Sequence, residues 1–170
     1  GQGHGTCVAG LVAAVGENNV GVSGVAPEAQ LMSWQVITPA ASDAQFAAMF
    51  QYQSNIVSVQ NHSWGLSTEG LVEPSLVEQT AIENAVTLGR GGRGVVLVHA
   101  AGNARKTSRD GSSSGAHDAN EDGYASNPKI IGVAAVRTTG RVASYSNPGA
   151  CLLVAGPSGD SGLPLLFTTD

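Results

Sequence analysis

The sequence predicts an α/β fold built on a mostly parallel sheet, and three observations carry that prediction. Segments with helical spacing alternate with short apolar runs. Residues 95–100 form an apolar run suited to a central strand. No internal repeat or long linker interrupts the 170 residues, a length that suits one domain with a sizeable core.

Each element follows from its own pattern. A short helix is expected from His4 to about Val15, with Val8, Leu11, Val12 and Val15 on one side. The loop 16–24 leads through Val25, Ala26 and Pro27 into a strand near residues 31–37. Ser42 is placed to cap a helix carrying Phe46, Met49 and Phe50. Residues 55–61 read as a strand. Residues 75–88 space Val77, Ala81, Ala85 and Leu88 along one helical face, with Gly89 as the stop. After the run 95–100, residues 105–127 are rich in Ser, Gly, Asp and Asn and read as a long surface loop. Residues 130–136 and 152–155 complete the expected strands.

Composition bounds the function. Charged residues are 12% of the chain, about half the usual ~25%, while hydrophobic residues reach 42%, a balance that argues against disorder. Gly occupies 23 positions without a collagen period, as tight turns and close backbone approaches demand. A net charge of -5, with 8 scattered Lys and Arg, gives no footprint for nucleic acid or anionic lipid. No apolar stretch approaches the ~20 residues of a membrane span, and the first residues lack a signal-peptide pattern. Cys7 and Cys151 have neither the number nor the spacing of a disulfide scaffold or a CxxC motif. They read as two buried thiols, with a single bridge between them left open.

Three motifs carry chemistry. Gly3-His4-Gly5-Thr6-Cys7-Val8-Ala9-Gly10 sets a histidine among glycines at the start of a helix, where another segment can approach the imidazole. A histidine there is either structural or a general base, and a phosphate cradle is excluded by the wrong glycine spacing and the missing strand. Val95 to Asn103 is a strand that delivers an amide after Gly102, at the end of a parallel strand where ligands bind. Asn103 is either a turn former or a donor to a developing oxyanion. Asn61-His62-Ser63-Trp64-Gly65 ends another strand, with a glycine where an extended peptide could lie alongside.

In this order and spacing the motifs resemble the subtilase family of serine proteases. HGTCVAG looks like the segment bearing the catalytic histidine, NHSWG like the substrate-binding strand and VLVHAAGN like the oxyanion-hole strand. NNVGVSGVAPEAQL and VASYSNPGACLLVAGPSG also resemble family stretches, so the likeness covers nearly the whole chain. SWG, GRGGRG, HDANEDGY and the closing TTD narrow it toward the kexin and furin branch of proprotein convertases.

The resemblance implies a three-layer subtilisin-like fold with a mostly parallel sheet, incomplete in this chain. It implies His4 as general base and acid and Asn103 as oxyanion donor, in a serine endopeptidase with a Ser-His-Asp triad. It makes Ser63, Trp64, Gly65, Ala101 and Gly102 substrate-binding, and Asp122 the carboxylate for an arginine side chain before the scissile bond. Glu73 adds to that basic preference, while Phe46 stands near a position expected to be acidic.

The implied partners are a peptide or protein substrate and a prosegment, with no nucleic acid. The implied location is extracellular, periplasmic or in the secretory pathway. Loop 15–22 resembles the family's calcium loop, implying ligands from the carbonyls of Val15, Val20 and Val22 and the side chain of Asn18. Calcium takes about 6–8 oxygens, so the set normally includes an upstream Asp that these residues lack. A second metal position of the convertase branch is matched only by Asp118, with Thr68 and Asn147 where carboxylates are expected.

The catalytic Asp would precede His4, and the nucleophilic Ser would lie in a GTSxAxP segment after TTD. Neither motif stands in these residues. The chain is therefore expected to be the central part of a catalytic domain, inactive by itself. A non-catalytic peptide-binding module of the same fold is the alternative. Gly159-Asp160-Ser161-Gly162 mimics a trypsin-like nucleophile segment, but the helix and strand alternation makes Ser161 a surface turn. His62 and His99 are expected to be structural, and His117 to be solvated.

Overall fold

The computed structural model describes residues 3–35, 41–65, 70–105 and 118–169. They fall into two units, residues 1–34 with 164–170 and residues 35–163.

The first unit is built on helix α1 (His4–Ala13). The helix ends two residues before the expected Val15, and the chain after it folds back. The N–H groups of Gly24, Val25 and Ala26 donate to the carbonyls of Ala14, Leu11 and Val12 at 2.8–3.0 Å. Carbonyls of a helix's last turn have no intrahelical partner, so this return satisfies them. A side chain at Gly24 would overlap the backbone of Ala13 and Ala14, so the close approach requires glycine there. Residues 31–35 form no strand. Leu31, Met32 and Trp34 are exposed, so their strand-like composition is not matched by burial. Residues 36–37 of that expectation lie outside the described residues.

The second unit holds helices α2 (Asp43–Gln51) and α3 (Leu76–Gly92) and strands β1 (Val59–His62), β2 (Val96–Ala100), β3 (Ile130–Val136) and β4 (Leu152–Pro157). The strands pair in the order β1-β2-β3-β4, every pair parallel. The expected parallel α/β architecture is present.

Both helices of this unit begin with a capping box. The Ser42 hydroxyl accepts from Gln45 N–H and the Gln45 side chain returns to Ser42 N–H; Ser75 and Glu78 repeat the pattern. The regular part of α3 stops where predicted, since Gly89 to Gly91 leave helical geometry. Phe50, Ala81, Ile82, Ala85, Leu97, Tyr124 and Ile130 belong to one buried cluster that joins the helices to the sheet.

Two expectations are corrected. Strand β1 begins at Val59 rather than Asn55, because residues 53–57 turn on bonds from Ile56 and Val57 N–H to the Gln53 carbonyl, with Gln53 at φ 48°. The expected surface loop 105–127 is packed over its described second half. Val72 N–H donates to the Glu121 carbonyl and Gly123 N–H to the Val72 carbonyl, and Ala119, Tyr124 and Ala125 are buried. Residues 106–117, including His117, lie outside the described residues.

Candidate active site

In a parallel sheet, neighbouring strands deliver their following loops to the same edge, where ligands bind. His62 at the end of β1 pairs in register with His99 near the end of β2. Residues 63–65 and 101–103 therefore leave adjacent strands side by side. This edge gathers most of the residues singled out in the sequence.

Trp64 is half-buried against a cluster of rings. It stands edge-on to His99 at 4.8 Å, to Tyr124 at 5.0 Å and to His62 at 5.7 Å, and contacts Phe46 at 5.4 Å. Phe46 therefore serves as packing for Trp64. Edge-to-face contacts of this kind fix ring orientation as well as burying area. Ser63 Oγ accepts from Asn61 Nδ2 at 2.8 Å, bracing the turn out of β1.

Gly65 is exposed, and a Cβ there would lie 3.6 Å from Oδ2 of Asp122. The fold thus brings Asp122 beside the strand proposed to carry substrate. Its Oδ1 accepts from the N–H groups of Tyr124 and Ala125 at 2.9 and 3.3 Å, which fixes the carboxylate at the foot of the loop. Glu73 is exposed nearby in sequence, before α3.

On the neighbouring strand, Ala101 N–H makes a last ladder bond to the Val133 carbonyl at 2.9 Å. Gly102 then adopts φ 96°, a conformation open to glycine, and turns the chain so that Asn103 is exposed. An exposed amide beyond the end of β2 can donate to a carbonyl oxygen that gains charge.

The two buried histidines shape the electrostatics beneath. His62 and His99 stack with centroids 6.1 Å apart, and each Nε2 is buried without a hydrogen-bond partner among the described residues. His99 Nδ1 donates to its neighbour's carbonyl, Ala100 O, at 2.9 Å, which places the proton on Nδ1. Burial, reinforced by His99, lowers the His62 pKa to about 3. Burial also lowers that of His99, which the Asp122 carboxylate opposes only in part. Tyr124 is pushed up by burial and by Glu78. The floor of the site is therefore neutral at physiological pH.

His4 lies in the first unit, exposed at the first position of α1, with Gly3 as a cap that makes no side-chain bond. In the loop after α1, Glu17, Asn19 and Gly21 take left-handed conformations in alternation. Asn18 Oδ1 accepts from Val20 N–H at 3.0 Å. Val15, Asn18 and Val20 are exposed and Val22 is half-buried. The four oxygens assigned to calcium are hard and neutral, so they suit that ion in kind, and they fall short of its usual number. Among the described residues no group of three or more His, Cys, Asp or Glu is placed to hold a metal.

Asp118 instead accepts from Asn120 N–H at 2.8 Å and caps a turn. Thr68 lies outside the described residues. Cys7 and Cys151 are both free, and burial raises the Cys151 thiol. Ser161 is an exposed turn residue whose N–H donates to Asp160. Among the described residues no helix is long and apolar enough to cross a membrane.

The motif reading did not single out Asn147 as a part of this edge. The resemblance marked it only as standing where a metal-binding carboxylate is expected, whereas in the structure its side-chain Oδ1 accepts from Ala104 N–H, 43 residues away.

A family model described as the subtilase family matches residues 1–162. The chain is 32% identical over 182 residues to a calcium-dependent protease of Trichormus variabilis, across 98% of this chain and 25% of that protein. It is 31% identical over 175 residues to proprotein convertase subtilisin/kexin type 7 of Mus musculus, across 100% of this chain and 21% of that protein. The crystal structure of a serine protease of Aeromonas sobria in complex with its chaperone superposes with a TM-score of 0.83 at 27% identity, across 98% of this chain and 31% of that one. These residues span about a quarter of the length of the curated relatives they match.

Proposed function

The chain belongs to the subtilase family, and from that premise we propose that it carries the histidine and the oxyanion donor of a serine endopeptidase. The observation that carries the reading is the shared edge of β1 and β2. Residues 63–65 and 101–102 follow adjacent parallel strands there, which supports reading them as two walls for an extended peptide, with the exposed Asn103 at the end of one.

In this mechanism the neutral imidazole of His4 takes the proton from the nucleophilic serine hydroxyl as it attacks the scissile carbonyl. The amide of Asn103 donates a hydrogen bond to the oxygen as it becomes negative. His4 then returns its proton to the leaving amine. We place the serine and the aspartate of the triad in segments of the polypeptide other than these residues, which hold no GTSxAxP motif. By themselves these residues are then inactive.

Asp122, anchored by two N–H groups beside Gly65, is the proposed partner of a basic side chain before the scissile bond. Calcium is proposed as a structural ion held by the carbonyls of Val15, Val20 and Val22 and by Asn18, with further ligands from outside that loop. When bound, it would brace the loop behind α1. A peptide or protein substrate and a prosegment are the proposed occupants of the cleft. The proposed place of action is the extracellular space, periplasm or secretory pathway, a reading supported by the resemblance to exported proteases.

Steady-state hydrolysis of a peptide by the full-length protein, wild type against Asn103→Ala, tests this. The expected loss in kcat is about 10²–10³ with KM little changed, the magnitude known for the oxyanion asparagine of a related subtilisin. Peptide binding without cleavage by the wild-type protein would instead favour a non-catalytic binding module.

A further inference from the structure

We infer that Asn147 is the residue that positions the oxyanion donor, gripping the loop on both sides of Asn103. The inference rests on the assignment of Asn103 above and extends it to a residue that contacts neither substrate nor the reacting atoms.

Asn103 is exposed, so its own packing cannot fix where its amide points. Its direction is set by the backbone of residues 102–105, which have already left the sheet after Ala101. Three hydrogen bonds tie this backbone to one short segment. Asn147 N–H donates to the Gly102 carbonyl at 3.1 Å, Ala104 N–H donates to Asn147 Oδ1 at 2.7 Å, and Arg105 N–H donates to the Tyr145 carbonyl at 3.1 Å. Asn147 alone supplies both of the bonds that flank Asn103, one from its main chain and one from its side chain.

The Nδ2 side of the same amide lies against Gly102. A Cβ at Gly102 would overlap it, so the glycine and the asparagine fit each other. Gly102 at φ 96° is therefore held in its turn by contact as well as by hydrogen bonds.

A grip positions only if it is itself held. Asn147 is 8% exposed, and its neighbours anchor it to the sheet. Ser146 Oγ accepts from Ala135 N–H of β3 at 3.0 Å, and Ser146 N–H donates to the Ala143 carbonyl. The Pro148 carbonyl accepts from Ala119 N–H at 2.7 Å, and the Tyr145 hydroxyl bonds Ser158. The donor loop is thus referenced to the frame of β3 and the 118–122 turn.

The chemistry also selects the residue type. The position needs an acceptor for Ala104 N–H, a small body against Gly102, and no formal charge close to an oxygen that becomes negative. Asparagine meets all three; aspartate keeps the acceptor and brings a charge.

Kinetics of the full-length protein in a double-mutant cycle test this: wild type, Asn103→Ala, Asn147→Ala and the double variant. A misplaced catalytic group costs up to about 100-fold, so Asn147→Ala is expected to lower kcat by about 10- to 100-fold with KM within about twofold. In the Asn103→Ala background the same substitution is expected to cost less than about twofold, because the group it positions is gone. An equal loss in both backgrounds, or no loss in either, overturns the inference.

Amide hydrogen exchange gives a readout independent of turnover. Ala104 and Arg105 are expected to exchange faster in Asn147→Ala while β2 and β3 keep their protection, and Asn147→Asp is expected to restore Ala104. Unchanged exchange at Ala104 also overturns it. If Asn103→Ala itself leaves kcat unaltered, the oxyanion assignment fails and the role of Asn147 falls with it. A loss in Asn103→Ala beside a silent Asn147→Ala defeats only the role of Asn147.

Discussion

At the scale of single residues the site depends on polar groups held from behind. Asp122 is the clearest case: two N–H groups bind its Oδ1, and its Oδ2 faces the space a side chain would fill at Gly65. A carboxylate fixed in this way has its ordering cost met before a guanidinium arrives. Asp122→Asn in the full-length protein is expected to lower kcat/KM for substrates with Arg or Lys before the scissile bond by about 10- to 100-fold, the worth of a hydrogen bond to a charged group, and to spare Leu or Phe substrates. A peptide library cut by wild type without preference for basic residues would defeat the assignment. Asp122 and Asn103 could be proposed from the sequence because each sits in a motif with its own neighbours. The sequence named Asn147 only at an expected metal position, because its hydrogen bond to Ala104 joins segments 43 residues apart and no local pattern records that.

At the scale of elements, local chemistry and burial agree for the helices and for the central strands. Ser42 announced α2, and the apolar runs at 95–100 and 130–136 became β2 and β3 because both are interior to the sheet. The opening of β1 was misread because Ile56 and Val57 suit a strand by type, while the bonds to Gln53 turn them instead. The packed second half of the loop 105–127 was missed for a related reason: its polar composition is real, but Tyr124 and Ala125 are buried under it. The helices also bear on the candidate site, since Phe46 and Phe50 of α2 pack against Trp64 and His62. The capping box of α3 satisfies N–H groups at the helix start and holds Glu78, which is buried. Ser75→Ala is expected to cost about 1 kcal/mol of stability, read as a lower urea midpoint at unchanged slope.

At the scale of the whole molecule, parallel pairing of strands distant in sequence stacks His62 on His99 at the edge where residues 63–65 and 101–103 emerge. Nothing in either local segment announces that meeting, and its consequence is a dependence of stability on pH. The groups facing the pair are Asp122, whose charge favours protonated His99, and Tyr124, which Glu78 and Asp43 help keep neutral. Both imidazoles bind protons more weakly in the folded than in the unfolded chain, where a histidine titrates near 6.5. Above about pH 6.5 neither state binds these protons and stability is level. Below it the unfolded chain takes them up first, so stability falls as pH falls, by about 1.4 kcal/mol per pH unit for each histidine. For His62 the fall continues to about pH 3, where the folded state also protonates. Urea unfolding midpoints of the protein between pH 5 and 8 are expected to hold flat above about 6.5 and to decline below it. Replacing His62 with Gln is expected to reduce that decline, since one of the two sites is gone. A midpoint that stays level down to pH 5 would mean that the pair already accepts protons in the folded state, and that the floor beneath residues 63–65 is charged rather than neutral.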